Sequence, residues 1–226
     1  MLNYLSLLCG LQIGLFQSLH RKKKKNPFPS LANVVPLLPP EAPVAHPDSD
    51  DDDADDLEAY HAVSSAMAEA ESFGDGLSAV TVEADGVLGR ACVRLEGPYA
   101  NLTFVVHCAN YPWLVLHLKN QRKFLAVVVV LRDSGGAHRQ LTLTNHASVA
   151  TLDAPNGAEC SLPLKLGDGW QLVPVDLQTL CRAVWGTDLA SVEQVRVRAS
   201  CALRKVFLSD RLYADVELPE YLRVLG

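Results

Sequence analysis

The segment that decides the fold runs from Lys165 to Tyr221 and contains five short motifs in a definite order. They are Lys-Leu-Gly-Asp-Gly-Trp (165–170), Trp-Gly-Thr-Asp (185–188), Val-Arg-Val-Arg-Ala (195–199), Phe-Leu-Ser-Asp-Arg-Leu-Tyr (207–213) and Glu-Leu-Pro-Glu (217–220). The order predicts a tight turn, a helix-sized segment, an alternating basic strand and a capped final turn. None of the motifs is a catalytic signature, so the segment points to a binding surface and not to a reaction.

One helix is predicted inside this segment. Asp176 is a suitable N-cap, because its carboxylate can accept hydrogen bonds from the unpaired N–H groups of a first helical turn. Apolar residues follow at helical spacing from Leu177 to Val184. Gly186 can adopt a positive φ angle and ends the helix. We expect this helix to cover an open end or edge of a sandwich.

From Leu77 onward the sequence consists of short segments rich in strand-forming residues, separated by turn residues. Ser134-Gly135-Gly136 indicates a hairpin, and the continuous apolar run Phe124–Leu131 indicates a central strand. Many short strands at this spacing are typical of an all-β sandwich or barrel. Ten strands are predicted: Leu77–Ala84, Ala91–Glu96, Leu102–His107, Leu114–Lys119, Phe124–Leu131, Arg139–Asn145, Cys160–Pro163, Trp170–Val175, Val192–Ala199 and Leu203–Leu208.

Composition divides the 226 residues into an N-terminal arm, 1–76, and a β-sandwich domain, 77–226. The arm has an apolar start, a basic cluster at 21–25, a proline-rich linker and an acidic run from Asp48 to Glu58, followed by a possible short helix at 57–72. Its five basic and twelve acidic residues give a net charge of −7, whereas the fifteen basic and fourteen acidic residues from Leu77 onward give +1. The acidic character of the chain therefore belongs to the arm, which we expect to be extended.

Neither a membrane span nor a disulfide framework is expected. The apolar start precedes the basic cluster, the reverse of a secretory signal, and its apolar run is too short to cross a bilayer. We interpret it as a partner-docking or partly ordered arm, with a signal-anchor or interfacial helix as the alternative. The six cysteines contain no Cys-x-x-Cys pair, and we interpret them as reduced residues of an intracellular protein. Disulfides in a secreted domain remain the alternative.

The sequence predicts no enzyme, no metal site and no cofactor. It contains no phosphate-binding loop, no His-Glu-x-x-His and no Gly-x-Ser-x-Gly. Asp168 lies between two glycines, where aspartate commonly bonds its own backbone. Asp210 is expected to cap a turn or to pair with Arg211.

The alternating strand is the best candidate for a contact surface. Period-two alternation places Arg196 and Arg198 on one face and the neighbouring valines on the other, and Arg204 and Lys205 follow one short turn later. These cations form either an ordinary solvated face or a basic patch that meets an acidic partner. Nucleic acid is not expected, because the domain carries only +1 and no basic run is interleaved with exposed aromatics.

The tryptophans near predicted turns indicate a second possible function. Trp113 and Trp170 adjoin apolar strands and are expected in the core, and Trp185 at the helix end is expected to pin the helix to the sandwich. A sandwich with aromatics near its turns also suggests a carbohydrate-binding module, with Trp185 stacking on sugar rings.

The ordered motifs resemble the cilia- and flagella-associated protein 20 family, over about residues 77–222. The chain departs from the family pattern between Cys108 and Trp113, where its connection is shorter than the family's, and this departure indicates a divergent member or paralogue. The motifs that carry the resemblance are Leu166–Trp170, Arg182–Thr187, Val195–Val197 with Cys201, Phe207–Tyr213 with Glu217–Pro219 and, upstream, Leu118–Asn120 with Lys123–Phe124.

The resemblance implies a β-sandwich of jelly-roll type and a non-enzymatic role in the axoneme of cilia and flagella. It places the family at the inner junction, where the B-tubule of a doublet microtubule closes on the A-tubule, with related members at the basal body or centriole. The implied partners are tubulin and neighbouring junction proteins. Because the exterior of tubulin is acidic, we expect the contacts to come from cations of the domain: Arg196, Arg198, Arg204, Lys205 and Arg211.

Overall fold

The computed structural model describes residues 34–37, 79–109, 111–153 and 157–224. Within these ranges the chain forms two β-sheets that enclose one apolar core, with a single α-helix at one end. The prediction of an all-β sandwich with a short covering helix is confirmed. Most of the predicted N-terminal arm, including its possible helix at 57–72, lies outside the described residues.

Sheet A has the strand order β10-β5-β12-β3-β2, and β1 also pairs with β12. Every pairing in it is antiparallel. Its strands are β1 Val34–Pro36, β2 Ala79–Asp85, β3 Arg90–Glu96, β5 Trp113–Asn120, β10 Gly169–Asp176 and β12 Cys201–Ser209.

Sheet B has the order β4-β11-β6-β7-β9-β8, in which only the pair β7–β9 is parallel. Strand β6 lies in the interior of this sheet between β11 and β7, as its unbroken valine run predicts. The strands are β4 Asn101–Ala109, β6 Ala126–Asp133, β7 His138–Thr144, β8 Thr151–Asp153, β9 Glu159–Pro163 and β11 Leu189–Arg198.

The ten predicted strands are all present, with ends that move by at most three residues. Strands β1 and β8, each of three residues, are not predicted. Strand β1 pairs with Phe207–Ser209 of β12. It lies on the same side of β12 as β3, which pairs with Cys201–Leu203. A short piece of chain before residue 77 therefore belongs to sheet A.

The core lies between the two sheets and follows the alternation of their strands. On β6, Val127 and Val129 are fully buried, and on β12 Leu203 and Leu208 point into the same cluster. Branched side chains of this kind pack well on a pleated surface. The remaining side chains of each strand point outward, so the two outer faces decide what the domain can contact.

Helix α1, Leu177–Trp185, begins and ends as the sequence predicts. The Asp176 carboxylate accepts hydrogen bonds from the backbone N–H of Thr179 at 2.9 Å and from its hydroxyl at 2.7 Å. Gly186 adopts φ 71° and donates its N–H to the carbonyl of Arg182. The helix buries Leu177, and its position links β10 to β11 across one end of the sandwich.

The outer face of sheet A is covered by the C-terminal segment. After β12 the chain forms two short 3-10 helices, Asp215–Glu217 and Glu220–Leu222. Leu218 and Leu222 are buried against Val115 of β5 and Phe207 of β12. This second, smaller apolar cluster leaves the outer face of sheet B as the more open of the two faces.

Five connections meet at the end of the sandwich opposite helix α1, which we call the loop end: residues 97–100, 121–125, 145–150, 164–168 and 199–200. Hydrogen bonds join them. The Asn145 side chain accepts from the N–H of Leu125 at 2.9 Å, and the Asn120 side chain donates to the carbonyl of Gly167 at 2.9 Å. The N–H of Ala199 donates to the carbonyl of Ala100 at 2.7 Å.

Candidate partner-binding surface

Strand β11 places two of the predicted contact residues on the outer face of sheet B. Val195 and Val197 are fully buried in the core, whereas Arg198 is exposed and Arg196 is half-buried. The predicted alternation is confirmed. The pairing of β11 with β4 and with β6 shifts register between Val192 and Gln194. The regular alternation that places Arg196 and Arg198 on the outer face begins after this shift.

The two arginines differ in how they are held. The Arg196 guanidinium donates to the Thr103 hydroxyl at 3.2 Å and to the Gln194 side-chain oxygen at 3.3 Å. Both acceptors are neutral, so these bonds orient the group and leave its charge uncompensated. Arg198 lies at the last position of β11, where the strand meets the loop end.

Arg204 and Lys205 do not lie on this surface, and the prediction that they extend the basic patch is wrong. They belong to β12 in sheet A and are only 6% and 5% exposed. The pairing of β12 with β5 shifts register between Leu203 and Lys205. The Lys205 ammonium donates to the carbonyl oxygens of Tyr221 and Arg223, so it anchors the C-terminal segment.

Arg211 is exposed but belongs to a third location, the C-terminal segment that covers sheet A. Its guanidinium lies 4.5 Å from the centre of the Tyr213 ring and 3.4 Å from the Glu217 carboxylate. Tyr213 and then Glu217 raise the pKa of Arg211. The Asp210 carboxylate accepts the Tyr213 hydroxyl at 2.6 Å, which places it beside the same ring.

Asp168 has a different partner from the one predicted. Its two carboxylate oxygens accept from the Arg122 guanidinium at 2.9 Å and 2.5 Å, and this pair joins two connections of the loop end. The neighbouring Arg122 charge lowers the pKa of Asp168. The carboxylate therefore stays ionised and serves as a link between loops, which is a structural role.

Two lysines that the sequence analysis does not single out also lie at the loop end. Lys123 and Lys165 are exposed; Lys123 precedes β6, and Lys165 follows β9, so each lies in a connection of the loop end. Isolated lysines in separate loops give no periodic signal. Only the topology shows that they share one end of the domain with Arg198.

A polar cleft of about 270 Å³ on the β2–β3 side is lined by Glu83, Asp85, Arg94, Lys119, Gln121, Lys123 and Ala202, and most of its charged groups pair with one another. The nearly buried Asp85 carboxylate accepts from Lys119 at 2.7 Å and from two backbone N–H groups, and Lys119 holds the pKa of Asp85 well below its usual range despite the opposing effect of burial. Arg94 bridges Glu83 and Glu96 at 2.7 and 2.6 Å. The Asp85 carboxylate therefore stays ionised near neutral pH.

Trp185 is held from two sides. Its indole N–H donates to the carbonyl of Gly157, and the Arg139 guanidinium lies 5.6 Å from the centre of its ring. The expected pinning of the helix end is present. A cation over the ring restricts the stacking surface that a sugar would need, so nothing at Trp185 favours the carbohydrate-binding alternative.

Two further features bear on the class of protein. Within the described ranges, no group of three or more His, Cys, Asp or Glu side chains is arranged to hold a metal ion. Among the same residues, no helix has the length and apolar character needed to cross a bilayer. What the described chain does present is a two-sheet sandwich whose cations on β11 and at the loop end face outward.

This arrangement defines an all-β sandwich domain with one short helix in the described chain. The CFA20 domain model matches residues 90–225, and the chain belongs to this family. The matched range includes every strand from β3 to β12, helix α1 and the C-terminal segment.

Curated relatives of this chain bear the name cilia- and flagella-associated protein 20. The chain is 32% identical to the protein of Chlamydomonas reinhardtii over 108 residues, 48% of this chain and 55% of the relative. It is 30% identical to that of Paramecium tetraurelia over the same coverage, and 29% identical to that of Caenorhabditis elegans over 119 residues, 51% of this chain and 57% of the relative. The chain thus spans a little over half the length of the curated relatives it matches. A solved structure of PfGH50B covers 60% of this chain and 22% of its own, with 9% identity and a TM-score of 0.25, which is too low to inform the fold or the function.

Proposed function

We propose that this protein is a non-enzymatic structural component of cilia or flagella that binds the doublet microtubules of the axoneme. The observation that carries the proposal is the match of the CFA20 domain to residues 90–225, together with relatives named for their association with cilia and flagella. The site chemistry agrees with it. The carboxylates of the cleft and of Asp168 are engaged in ion pairs, and the outward-facing groups are cations suited to an acidic surface.

The finer proposal places the protein at the inner junction between the A- and B-tubules, with tubulin and neighbouring junction proteins as partners. Arg196 and Arg198 supply the contact to the acidic lattice from the outer face of sheet B. Arg211 contributes a contact from the other side of the domain. A position at the basal body or centriole is the alternative within the same family.

Cosedimentation of the purified full chain with isolated doublets tests the proposed binding. Replacing Arg196 and Arg198 by Glu is expected to weaken it by about tenfold or more, because two attractive charge pairs become repulsive. A matched control replaces Arg90 and Arg182 by Glu, which changes the net charge equally at exposed positions elsewhere. Equal binding by both variants and the wild type would remove the β11 surface from the proposal.

Imaging of the tagged chain in ciliated cells, followed by a density map of isolated doublets, tests the location. Density for the sandwich beside the seam between the A- and B-tubules is expected. A tagged chain confined to the centriole would favour the basal-body alternative, and a chain absent from both structures would overturn the proposal.

A further inference from the structure

Strand β4 forms one edge of sheet B, and among the described residues only β11 pairs with it. On an edge strand, alternate backbone N–H and C=O groups point away from the sheet and have no partner in the ladder. Outside the strand ladders, no backbone hydrogen bond in the described part of the chain ends on residues 101–106. This edge therefore keeps donors and acceptors that a further strand can use.

The strands at the other edges carry the features that normally prevent strand addition. Strand β10 contains Pro174, which has no N–H to donate. Strand β2 carries Glu83 and Asp85, and charged side chains on an edge oppose pairing with another chain. Strands β1 and β8 have only three residues each. Strand β4 has nine residues without a proline, a lysine, an arginine or a carboxylate, so it is the unprotected edge of the two described sheets.

The side chains of β4 are incompletely covered on both faces of sheet B. Phe104 lies opposite the core residue Val195 yet is only half-buried, and Val106 is half-buried as well. On the outer face Val105 is 70% exposed. Aromatic and β-branched side chains pack well against those of a neighbouring strand. A strand added to this edge would extend the core at Phe104 and Val106 and would cover Val105.

One cation lies beside the open edge. Arg196 is directly opposite Thr103 in the register, and its guanidinium donates to the Thr103 hydroxyl at 3.2 Å. The arginine side chain therefore leans from β11 over β4, toward the edge. Its second acceptor, the Gln194 side chain, is also neutral. Because neighbouring strands lie about 4.8 Å apart, a carboxylate on the outer face of an added strand is within reach of this guanidinium.

We propose that β4 docks an extended strand of a partner protein, which pairs with its open edge and presents Glu or Asp to Arg196. Because alternate residues of a strand face opposite sides, the same segment carries β-branched residues that pack against Phe104 and Val106 on the inner face. Strand docking deepens the proposed function, on which it rests, by naming the conformation and the chemistry of the segment that a neighbouring protein brings to this surface.

A second copy of this chain is a poorer occupant of the edge. Antiparallel pairing of β4 with the β4 of another copy would join the two outer faces into one continuous face. Arg196 and Arg198 of both copies would then share that face, and neither has an acidic partner among the described residues. Like charges on one face repel each other, whereas a strand with carboxylates brings the opposite charge.

Fluorescence anisotropy of the purified full chain with labelled peptides tests the pairing. The first peptide, acetyl-Thr-Val-Glu-Val-Thr-Val-Glu-Val-Thr-amide, matches the nine residues of β4 and has valines on one face. Two others carry N-methyl groups on its odd or on its even residues, which removes those N–H donors and keeps the side chains. Since only alternate N–H groups of an added strand face β4, one methylated set is expected to weaken binding by about tenfold or more and the other to change it by less than about threefold.

A protein variant tests the charge contact. Arg196→Gln is expected to weaken binding of the glutamate peptide by about threefold and to leave unchanged the affinity for a peptide with Gln in place of both Glu residues, because an exposed ion pair contributes modestly. The matched control, Arg182→Gln, removes the same charge from an exposed position on helix α1. It is expected to bind both peptides as the wild type does.

Hydrogen exchange locates the bound peptide. Amides of residues 101–106 are expected to exchange more slowly when the first peptide is present, because the outward-facing N–H groups gain acceptors. Amides of β2, the charged edge of sheet A, are expected to keep their rates. Slower exchange in β2 with no change in β4 would place the peptide on the wrong edge and overturn the proposal.

Three further results would overturn the assignment. Equal weakening by the two methylated sets would show that the peptide does not bind as a strand. A wild-type chain with no affinity for the unmethylated peptide would show that the edge takes no such segment. Sedimentation that reveals a dimer, together with slower exchange of residues 101–106 as the dimer forms, would assign the edge to a second copy.

Strand docking and the proposed function can be rejected separately. Peptide binding uses purified components and does not depend on where the protein resides in the cell. Selective binding of the unmethylated peptide by a chain that does not cosediment with doublets would remove the proposed function alone. Cosedimentation with doublets by a chain that has no affinity for any of the peptides would remove strand docking alone.

Discussion

The ammonium of Lys205 donates hydrogen bonds to two backbone carbonyls of the C-terminal segment, that of Tyr221 at 2.5 Å and that of Arg223 at 2.7 Å. Lys205 is only 5% exposed and belongs to the interior strand of sheet A. A buried ammonium is tolerated when its donors meet acceptors. The contact therefore ties the last residues of the described chain to the centre of the sheet and holds the smaller apolar cluster in place.

Replacing Lys205 by Met is expected to lower the free energy of unfolding by about 2 kcal/mol, because two partly buried hydrogen bonds to a charged donor are lost. Urea titration measures the loss, and limited proteolysis should cut the C-terminal segment sooner. The comparison variant is Arg211→Met, which removes an exposed cation from the same region and is expected to cost less than about 0.5 kcal/mol. Equal losses in the two variants would contradict the anchoring role.

Replacing Asp176 by Ala removes the N-cap of helix α1. The backbone N–H and the hydroxyl of Thr179 lose their acceptor, and the free energy of unfolding is expected to fall by about 1 kcal/mol. Asp176→Asn keeps a side-chain oxygen and should recover most of the loss. Thermal unfolding followed by circular dichroism measures both variants, and an alanine variant as stable as the wild type would show that the cap is dispensable.

The Asp85–Lys119 pair predicts a pH dependence of stability. The pKa of Asp85 is lowered in the folded chain, chiefly by Lys119, and is ordinary in the unfolded chain. The stabilisation that ionised Asp85 gives to the folded chain is therefore fully present above the unfolded pKa of about 3.9. It is lost as the pH falls below that value toward the folded pKa. The free energy of unfolding of the wild type should thus exceed that of Asp85→Asn most at pH 7, and the difference should shrink between about pH 5 and pH 3. A difference that is constant over this range would exclude the pair as its origin, and Asp153→Asn, at an exposed strand end, serves as the comparison.

Replacing Trp185 by Phe tests how the end of helix α1 is held. The ring remains beside Arg139, but the carbonyl of Gly157 loses the indole donor, so we expect a loss of about 1 kcal/mol in the free energy of unfolding. Chemical denaturation measures it. On a glycan array the wild type is expected to show no binding, whereas a sugar signal that disappears in Trp185→Phe would revive the carbohydrate-binding alternative.

Much of the fold follows from local signals in the sequence. The valine run of β6, the alternation of β11 and the Asp176 and Gly186 caps each act within a few residues, and each is confirmed. The strands β1 and β8 escape prediction because three residues are too few to show a period, and β1 also contains Pro36. Their pairing depends on strands far away in the chain.

The candidate site was less accessible to prediction, for a reason that lies in the topology. Lys205 looks like a surface residue, because the sequence does not show that the C-terminal segment covers the outer face of sheet A. Lys123 and Lys165 look unremarkable, since 41 residues separate them along the chain. Whether a cation is free or enclosed depends on which strands become neighbours, and that is a property of the assembled sheets.

Strand β12 is the last strand of the described chain, yet it lies in the interior of sheet A, where β5, β3 and β1 all pair with it. Until Ser209 has been synthesised, the edges of β3 and β5 that face this gap have no partner in the sheet. During translation the ribosome therefore carries two sheet fragments with open edges, and sheet A closes only after β12 has emerged from the exit tunnel. Sheet A is therefore completed late, and the interval before that is when the nascent chain most needs protection from aggregation.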